Sequence, residues 1–235
     1  RYLHGTAGNG FDLTGMYYRG QWRETNDQPL EAIRQTLIGR YGSLDPTDGG
    51  FTERYSLSGH YRFGDDRKKW VASFYVDHNR LSLWNNFTHY LEDPVEGDQF
   101  QQDETRTKVG GALTYTRADT LFGAMPTETV FGIDGRYDTV FIDRRHTRQR
   151  IVLPDCPDSP YGGGLYVCNA DDVREGRMAG YVQNTAHWLS WLRTVTGLRE
   201  EYYHGEDRSL VTGFSGRVAQ ALFQPKGSLI FGPWK

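Results

Sequence analysis

The stretch from Val130 to Arg144 reads VFGIDGRYDTVFIDR and decides the fold, because two kinds of residue alternate along it. One phase carries apolar, small or hydroxylated residues, namely Phe131, Ile133, Gly135, Tyr137, Thr139 and Phe141. The other phase carries glycine and charged residues, namely Gly132, Asp134, Arg136 and Asp138. A period of two is typical of a β-strand with one apolar face. That face fits either the core of a soluble sheet or the lipid-facing wall of a membrane barrel.

The same alternation recurs in other segments, so the chain is predicted to be all-β. It is found at 55–63, 108–116 and 178–188. Between 70 and 87 the apolar phase shifts from Trp70 and Phe74 to Leu81 and Leu83. This shift predicts a β-bulge between 77 and 80.

Short and long connections alternate along the chain. Turn-forming residues predict short turns at 8–10, 64–68, 117–126, 189–192 and 224–227, and longer loops at 26–51, 89–100, 147–174 and 206–210. An up-and-down transmembrane barrel has short turns at one rim and long loops at the other, whereas a β-sandwich does not require this order. We therefore predict an antiparallel up-and-down transmembrane β-barrel, present in part as about ten strands, with long external loops.

The first long loop is predicted to contain one short helix. Apolar residues recur at helical spacing after Pro29, namely Leu30, Ile33, Leu37, Ile38 and Tyr41. Asp27 before them and Gly42 after them are typical boundary residues. The helix either folds the loop against itself or covers a ligand.

Composition narrows the functional classes. Only 37% of the 235 residues are hydrophobic while 14% are aromatic, which suits a barrel with a wet interior and aromatic rims. The net charge of −3 and the lack of a basic patch argue against a nucleic-acid partner. Because the chain begins with Arg1 and shows no signal peptide, we expect a mature product or a segment of a longer chain.

Several short stretches resemble the barrel of TonB-dependent outer-membrane receptors. They are the residues at 43–50, 127–136, 180–185, 196–203 and 229–234. The resemblance implies a barrel of about 22 strands with an N-terminal plug, energised by the inner-membrane TonB complex. No plug-like region or TonB box occurs in residues 1–235, so they are predicted to be an internal segment of the barrel domain.

The function that this resemblance implies is TonB-dependent uptake of a scarce nutrient, such as a ferric siderophore or another metal chelate. The location would be the outer membrane of a Gram-negative bacterium. The partners would be membrane lipid, the TonB complex through the missing plug, and a small-molecule ligand. Two alternatives stay open, namely a passive porin or structural barrel, and a soluble secreted all-β binding module.

No motif of a known catalytic site occurs, so we expect neither an enzyme nor a resident cofactor. The seven histidines show no metal-ligand spacing, and no metal site is predicted. Cys156 and Cys168 flank a stretch rich in turn formers. In an oxidising compartment this spacing predicts a disulfide, with two free thiols as the alternative.

Two groups of residues are candidates for function. Charged residues on the polar phase are predicted to face the lumen, namely Asp134, Arg136, Asp138, Arg199 and Glu201. They would either brace the barrel wall or contact the plug. Arginine and tyrosine in the longest loops suit an anionic or aromatic chelate, and the candidates are Arg40, Tyr41, Arg148, Arg150, Tyr161 and Tyr166.

Overall fold

The computed structural model describes residues 1–6, 8–24, 26–156 and 166–233. The strands are β1 (Tyr2–Gly5), β2 (Gly10–Arg23), β3 (Gly49–Gly64), β4 (Lys68–Asn85), β5 (Phe100–Leu121), β6 (Met125–Arg148), β7 (Ile151–Val152), β8 (Asn169–Leu189), β9 (Leu192–Ser209) and β10 (Ser215–Phe231). One helix, α1 (Leu30–Arg34), lies between β2 and β3. No helix in the described part of the chain is long and apolar enough to cross a membrane.

All ten strands form one antiparallel sheet. The order along the sheet follows the chain, β1-β2-β3-β4-β5-β6-β8-β9-β10, and the short β7 pairs with the end of β6. Apart from β7, each strand therefore pairs with its neighbours in sequence. The predicted all-β class, the up-and-down order and the strand number are confirmed.

Short and long connections reach opposite ends of the sheet, because consecutive antiparallel strands reverse direction. The short turns at 6–9, 65–67, 122–124 and 190–191 define the short-turn end. The connections at 24–48, 86–99, 149–168 and 210–214 define the long-loop end. This is the alternation that the sequence predicts.

The two faces of the sheet differ in polarity. The apolar face is the exposed one, whereas a soluble protein buries its apolar face. On one face large apolar side chains are exposed, and Ile133 keeps 59% of its surface accessible. On the other face charged side chains are buried against one another, and Asp138 is 1% exposed. The charged face is thus the crowded inner face of a curved sheet. Glu200 departs from the pattern, since it lies on the outer face between Leu198 and Tyr202.

An aromatic row crosses four strands near the short-turn end of the outer face. The register places Phe63 opposite Trp70, Trp70 opposite Tyr115, and Tyr115 opposite Phe131. The rings of Trp70 and Tyr115 lie 4.5 Å apart between centroids, and those of Tyr115 and Phe131 lie 6.4 Å apart. The row therefore forms one continuous belt of residues that are in register across the four strands.

Two local predictions are wrong, and a third is confirmed only in part. Residues 224–227 form no turn but lie inside β10, where Pro225 pairs with Leu198; the end strand of the described sheet tolerates a proline. No bulge interrupts 77–80, since β4 keeps continuous register with β3 and β5. Leu81 and Leu83 instead share the inner face with Asp77. The predicted loop helix exists but ends at Arg34, so only Leu30 and Ile33 of its apolar stripe are helical.

Candidate functional site

The inner face carries a chain of ion pairs across three strands. The guanidinium of Arg199 on β9 donates to Asp134 on β6 at 2.7 Å and to Glu201 at 2.9 Å. Arg177 on β8 lies 3.3 Å from Asp134 and 3.5 Å from Glu201. Ala179 is the β8 residue in register between Asp134 and Glu201, and its small side chain leaves room for the arginines. Two acids and two bases thus neutralise one another on the inner wall.

A second group of charges lies nearer the long-loop end. Arg136 and Asp138 form a bidentate pair within β6. Asp77 on β4 accepts from Arg54 at 2.5 Å and lies 3.3 Å from Lys108 on β5. The contacts of Asp77 join three adjacent strands, β3, β4 and β5, whereas the Arg136–Asp138 pair stays within β6.

The five predicted lumen-facing residues therefore share one polar face, and all of them take part in ion pairs. The contacts of Asp134, Arg199 and Glu201 bind strand to strand, which is what bracing of the wall requires. Contact with a plug stays a prediction.

The three longest loops meet at Gln99, which is 1% exposed and directly precedes β5. Its amide nitrogen donates to Thr47 Oγ1 at 2.8 Å, to Asp45 Oδ2 at 3.0 Å and to Asp48 Oδ1 at 3.2 Å. Its amide oxygen accepts from Thr147 Oγ1 at 3.1 Å and from the backbone N–H of Arg150 at 2.8 Å. We call this group the loop knot, comprising Asp45, Thr47, Asp48, Gln99, Thr147 and Arg150.

Asp48 is the fully buried acid of the loop knot. It accepts from Asn26 Nδ2 at 2.7 Å as well as from Gln99. Burial raises the pKa of Asp48 to about 6, and the hydrogen bond from Gln99 opposes this shift. The folded loop therefore retains a proton at pH values where the unfolded chain has lost it.

Because folding raises the pKa of Asp48, acidification is predicted to stabilise the closed form of the loop knot. Between the unfolded pKa near 3.8 and the folded pKa of about 6, only the folded state holds the proton. The free energy of opening should thus rise by about 1 kcal/mol as the pH falls from 7.5 to 5. Hydrogen-exchange rates at 44–50 in the full-length protein, corrected for the intrinsic rates, measure this opening free energy.

Asp48→Asn should abolish this pH response because it removes the titrating group. Asp65→Asn is the matched control. Asp65 lies in a short turn, and N–H donors of Lys68 and Arg67 lower its pKa. An unchanged response in Asp48→Asn would contradict the assignment to Asp48.

Cys156 and Cys168 are disulfide-bonded, with their Cα atoms 5.3 Å apart, so the predicted bond is confirmed over two free thiols. The bond lies at the base of the loop between β6 and β8. The backbone N–H of Cys168 donates to the carbonyl of Arg144 at 2.7 Å. The disulfide therefore holds both ends of this loop against the end of β6.

The structure does not gather the five described ligand-loop candidates at one place. Arg148 pairs with Glu96 at 2.7 Å. Arg150 donates to the Thr47 carbonyl at 2.6 Å and stacks over Trp84 at 4.6 Å, so it supports the loops. Of the other candidates, Arg40 stacks on exposed Tyr41, and Tyr166 is exposed. Tyr161 lies outside the described residues.

A polar cavity of about 240 Å³ opens between the three loops beside the loop knot. Its lining includes Asn86, His89, Glu96, Gln99 and Arg148. Two buried polar atoms of this lining, Asn86 Oδ1 and His89 Nε2, have no hydrogen-bond partner among the described residues. Unmatched donors and acceptors beside a cation and an anion suit a small polar ligand.

Sequence reasoning missed most of this region. Gln99 and Glu96 show no local motif, and their importance comes from contacts with distant loops. One signal was available, since the stretch 43–50 that resembles the receptor family contains Asp45, Thr47 and Asp48. Nothing in the sequence indicated that His146 would lie beside Asp93 and Asp155, whose ligand atoms all lie within 4.8 Å of one another.

Comparison with known proteins supports the fold. No family model matches this sequence, and no curated protein matches it. Sixteen chains of known structure match, among them the crystal structure of the ferric citrate transporter FecA in the unliganded form. The TM-score is 0.78 at 14% identity, over 97% of this chain and 32% of that chain.

The chain has the fold of part of a β-barrel wall. It spans about a third of the length of the transporter chain that it matches. The predicted antiparallel β-barrel class is thus confirmed. At an identity of 14% the similarity supports a shared fold only, and it does not extend to the substrate or the energy source.

Proposed function

We propose that this chain is part of the outer-membrane barrel of a receptor that takes up a small nutrient with energy from the TonB complex. The observation that carries the membrane assignment is the reversed polarity of the sheet. A soluble sheet buries its apolar face, whereas here the apolar side chains are exposed and the ionic ones are packed together. Lipid is the solvent that favours such an arrangement.

The aromatic belt supports the same assignment. Phe63, Trp70, Tyr115 and Phe131 lie at one height near the short-turn end. Aromatic girdles mark the level where lipid headgroups meet water in barrels of this kind. Glu200 on the outer face is tolerated more readily than a basic residue, because acids cost less on the lipid face.

The strands are longer than a bilayer requires. β6 has 24 residues, whereas a membrane-spanning strand needs about 9–11. The belt lies near the short-turn end, so the excess length projects on the side of the long loops. The loop knot and the cavity at Asn86 and His89 would then face the cell exterior, where an incoming ligand is met.

We propose an anionic metal chelate as the ligand class. The support is the arginine, amide and imidazole groups in the cavity lining, where Arg148 also pairs with Glu96, and the fold shared with a ferric citrate transporter. A passive porin is the second candidate, because a braced polar wall also suits an open channel. The proposal includes no catalytic step and no resident cofactor.

The test is uptake by cells that express the full-length gene. Membrane fractionation should place the product in the outer membrane, and recovery from the periplasm would contradict the barrel assignment. Uptake of iron-labelled chelates should require TonB. Equal uptake in cells with and without TonB would contradict active transport and favour the porin.

A further inference from the structure

Three potential metal ligands converge at the long-loop end, outside the cavity described above. His146 lies near the end of β6 and is 4% exposed. Asp93 belongs to the loop between β4 and β5, and Asp155 belongs to the loop after β7. Their ligand atoms all lie within 4.8 Å of one another. Three separate segments of the chain therefore contribute one ligand atom each.

A hydrogen bond to Gly97 determines the tautomer of the neutral His146 ring. Its Nε2 lies 2.6 Å from the carbonyl oxygen of Gly97. A carbonyl oxygen can only accept, so Nε2 carries a proton. In the neutral ring Nδ1 is then a bare lone pair, and it lies 3.3 Å from Asp155 Oδ1.

Two acceptors thus face each other at Nδ1. A carboxylate has no proton to donate, so a lone pair opposite a carboxylate oxygen is an unfavourable contact that a cation between them relieves. That cation is either a proton or a metal ion. His146 is 4% exposed, and its Nδ1 lies beside the two acids.

The distance between His146 and Asp155 suits a small metal ion. Ligand atoms about 2.1 Å from a tetrahedral metal lie roughly 3.4 Å apart. The separation of Nδ1 and Asp155 Oδ1 is 3.3 Å. The side chain of Asp155 is 46% exposed, so it can adjust toward a bound ion.

Asp93 is prepared as the third ligand. The backbone N–H groups of Glu96 and Val95 donate to its Oδ1 at 2.9 Å each. These bonds fix the orientation of the Asp93 carboxylate. Both bonds are made to Oδ1, and Oδ2 accepts neither of them.

We propose that His146 Nδ1, Asp93 and Asp155 bind one divalent transition metal ion, with Zn²⁺ as the best match. Imidazole nitrogen and carboxylate oxygen are both zinc ligands, and three protein ligands leave a fourth position for water. An imidazole ligand disfavours Ca²⁺ and Mg²⁺, which prefer oxygen alone. The ion would join the loop between β4 and β5 to the loop after β7.

The disulfide contributes to this geometry. Asp155 directly precedes Cys156, which is bonded to Cys168. The N–H of Cys168 is in turn bonded to the carbonyl of Arg144, two residues before His146. The covalent link therefore holds Asp155 near the imidazole. This inference does not depend on the proposed transport function.

Calorimetric titration of Zn²⁺ into the tag-free, chelator-treated full-length protein tests the site. We expect one ion per chain at micromolar affinity. Asp155→Asn should weaken binding at least tenfold, as should His146→Gln. Asp172→Asn is the matched control, because Asp172 is an acid of the neighbouring β8 that pairs with Arg174, and it should bind normally. Thermal melts confirm that each variant is folded.

Two outcomes would overturn the proposal. Zinc binding that is unaffected by Asp155→Asn would place the ion elsewhere. The other outcome is no binding up to millimolar Zn²⁺. NMR would then be expected to show a His146 ring that carries both protons beside Asp155. A proton, not a metal, would fill the gap. Because Asp155 is partly exposed, its substitution remains informative even if His146→Gln fails to fold.

Discussion

Leu113→Arg should sharply reduce assembly of the full-length barrel in the outer membrane. Leu113 lies on the exposed apolar face, opposite Ile133 on β6. It lies two residues further from the short turn than Tyr115 of the aromatic belt, which places it within the apolar band. An arginine in such a band costs about 2–4 kcal/mol when it lies near the middle of the bilayer. The yield of heat-modifiable, membrane-inserted protein measures the effect.

Thr114→Arg is the matched control, because it makes the same residue one position further along β5. Thr114 lies on the inner face, opposite Gly132. There the new guanidinium meets a polar, ion-paired surface, so assembly should be close to that of the unchanged protein. Equal tolerance of both substitutions would mean that the apolar face does not meet lipid. The soluble binding module would then be the better interpretation.

Gln99→Leu should loosen all three long loops together. The leucine fills a similar volume but cannot donate to Asp45 or Asp48, nor accept from Arg150. Several buried groups would lose their partner, and each costs about 1–3 kcal/mol. We expect the opening free energy of the loop knot to fall by about 3–5 kcal/mol, the sum of two or three such losses. Hydrogen exchange at 44–50 and at 147–152 reports it.

Gln102→Leu controls for the change of side chain, because Gln102 is exposed and lies only three residues away on β5. It should leave exchange in the loops unchanged. Faster exchange in only one loop of the Gln99→Leu protein would contradict the idea that Gln99 joins three of them. Ligand uptake should fall with loop order if the neighbouring cavity is the binding site.

Sequence patterns were most informative where the cause is local. The alternation from Val130 to Arg144 follows from the pleat of one strand, which sends successive side chains to opposite faces. The order of short and long connections follows from the turn formers between strands. The disulfide also belongs to this class, because Cys156 and Cys168 are close in sequence and flank a turn-rich stretch.

Local patterns failed where two effects compete. Gln224-Pro225-Lys226-Gly227 has the composition of a turn, yet pairing with β9 keeps it in β10. Leu81 and Leu83 suggested a bulge, yet the ladder stays regular and the inner face accepts them. In both cases many backbone hydrogen bonds of a long ladder outweigh the preference of a few residues.

The sequence by itself thus determined the strands, their faces, the antiparallel order and the disulfide. Only the tertiary structure decided which side chains meet. Gln99 contacts Asp48 across 51 positions, and Arg199 contacts Asp134 across 65. Such contacts depend on strand register and on how loops fold over the sheet end. The alternation within one strand predicts neither of these. It determines the direction in which a side chain points but not the distant residue that the side chain contacts.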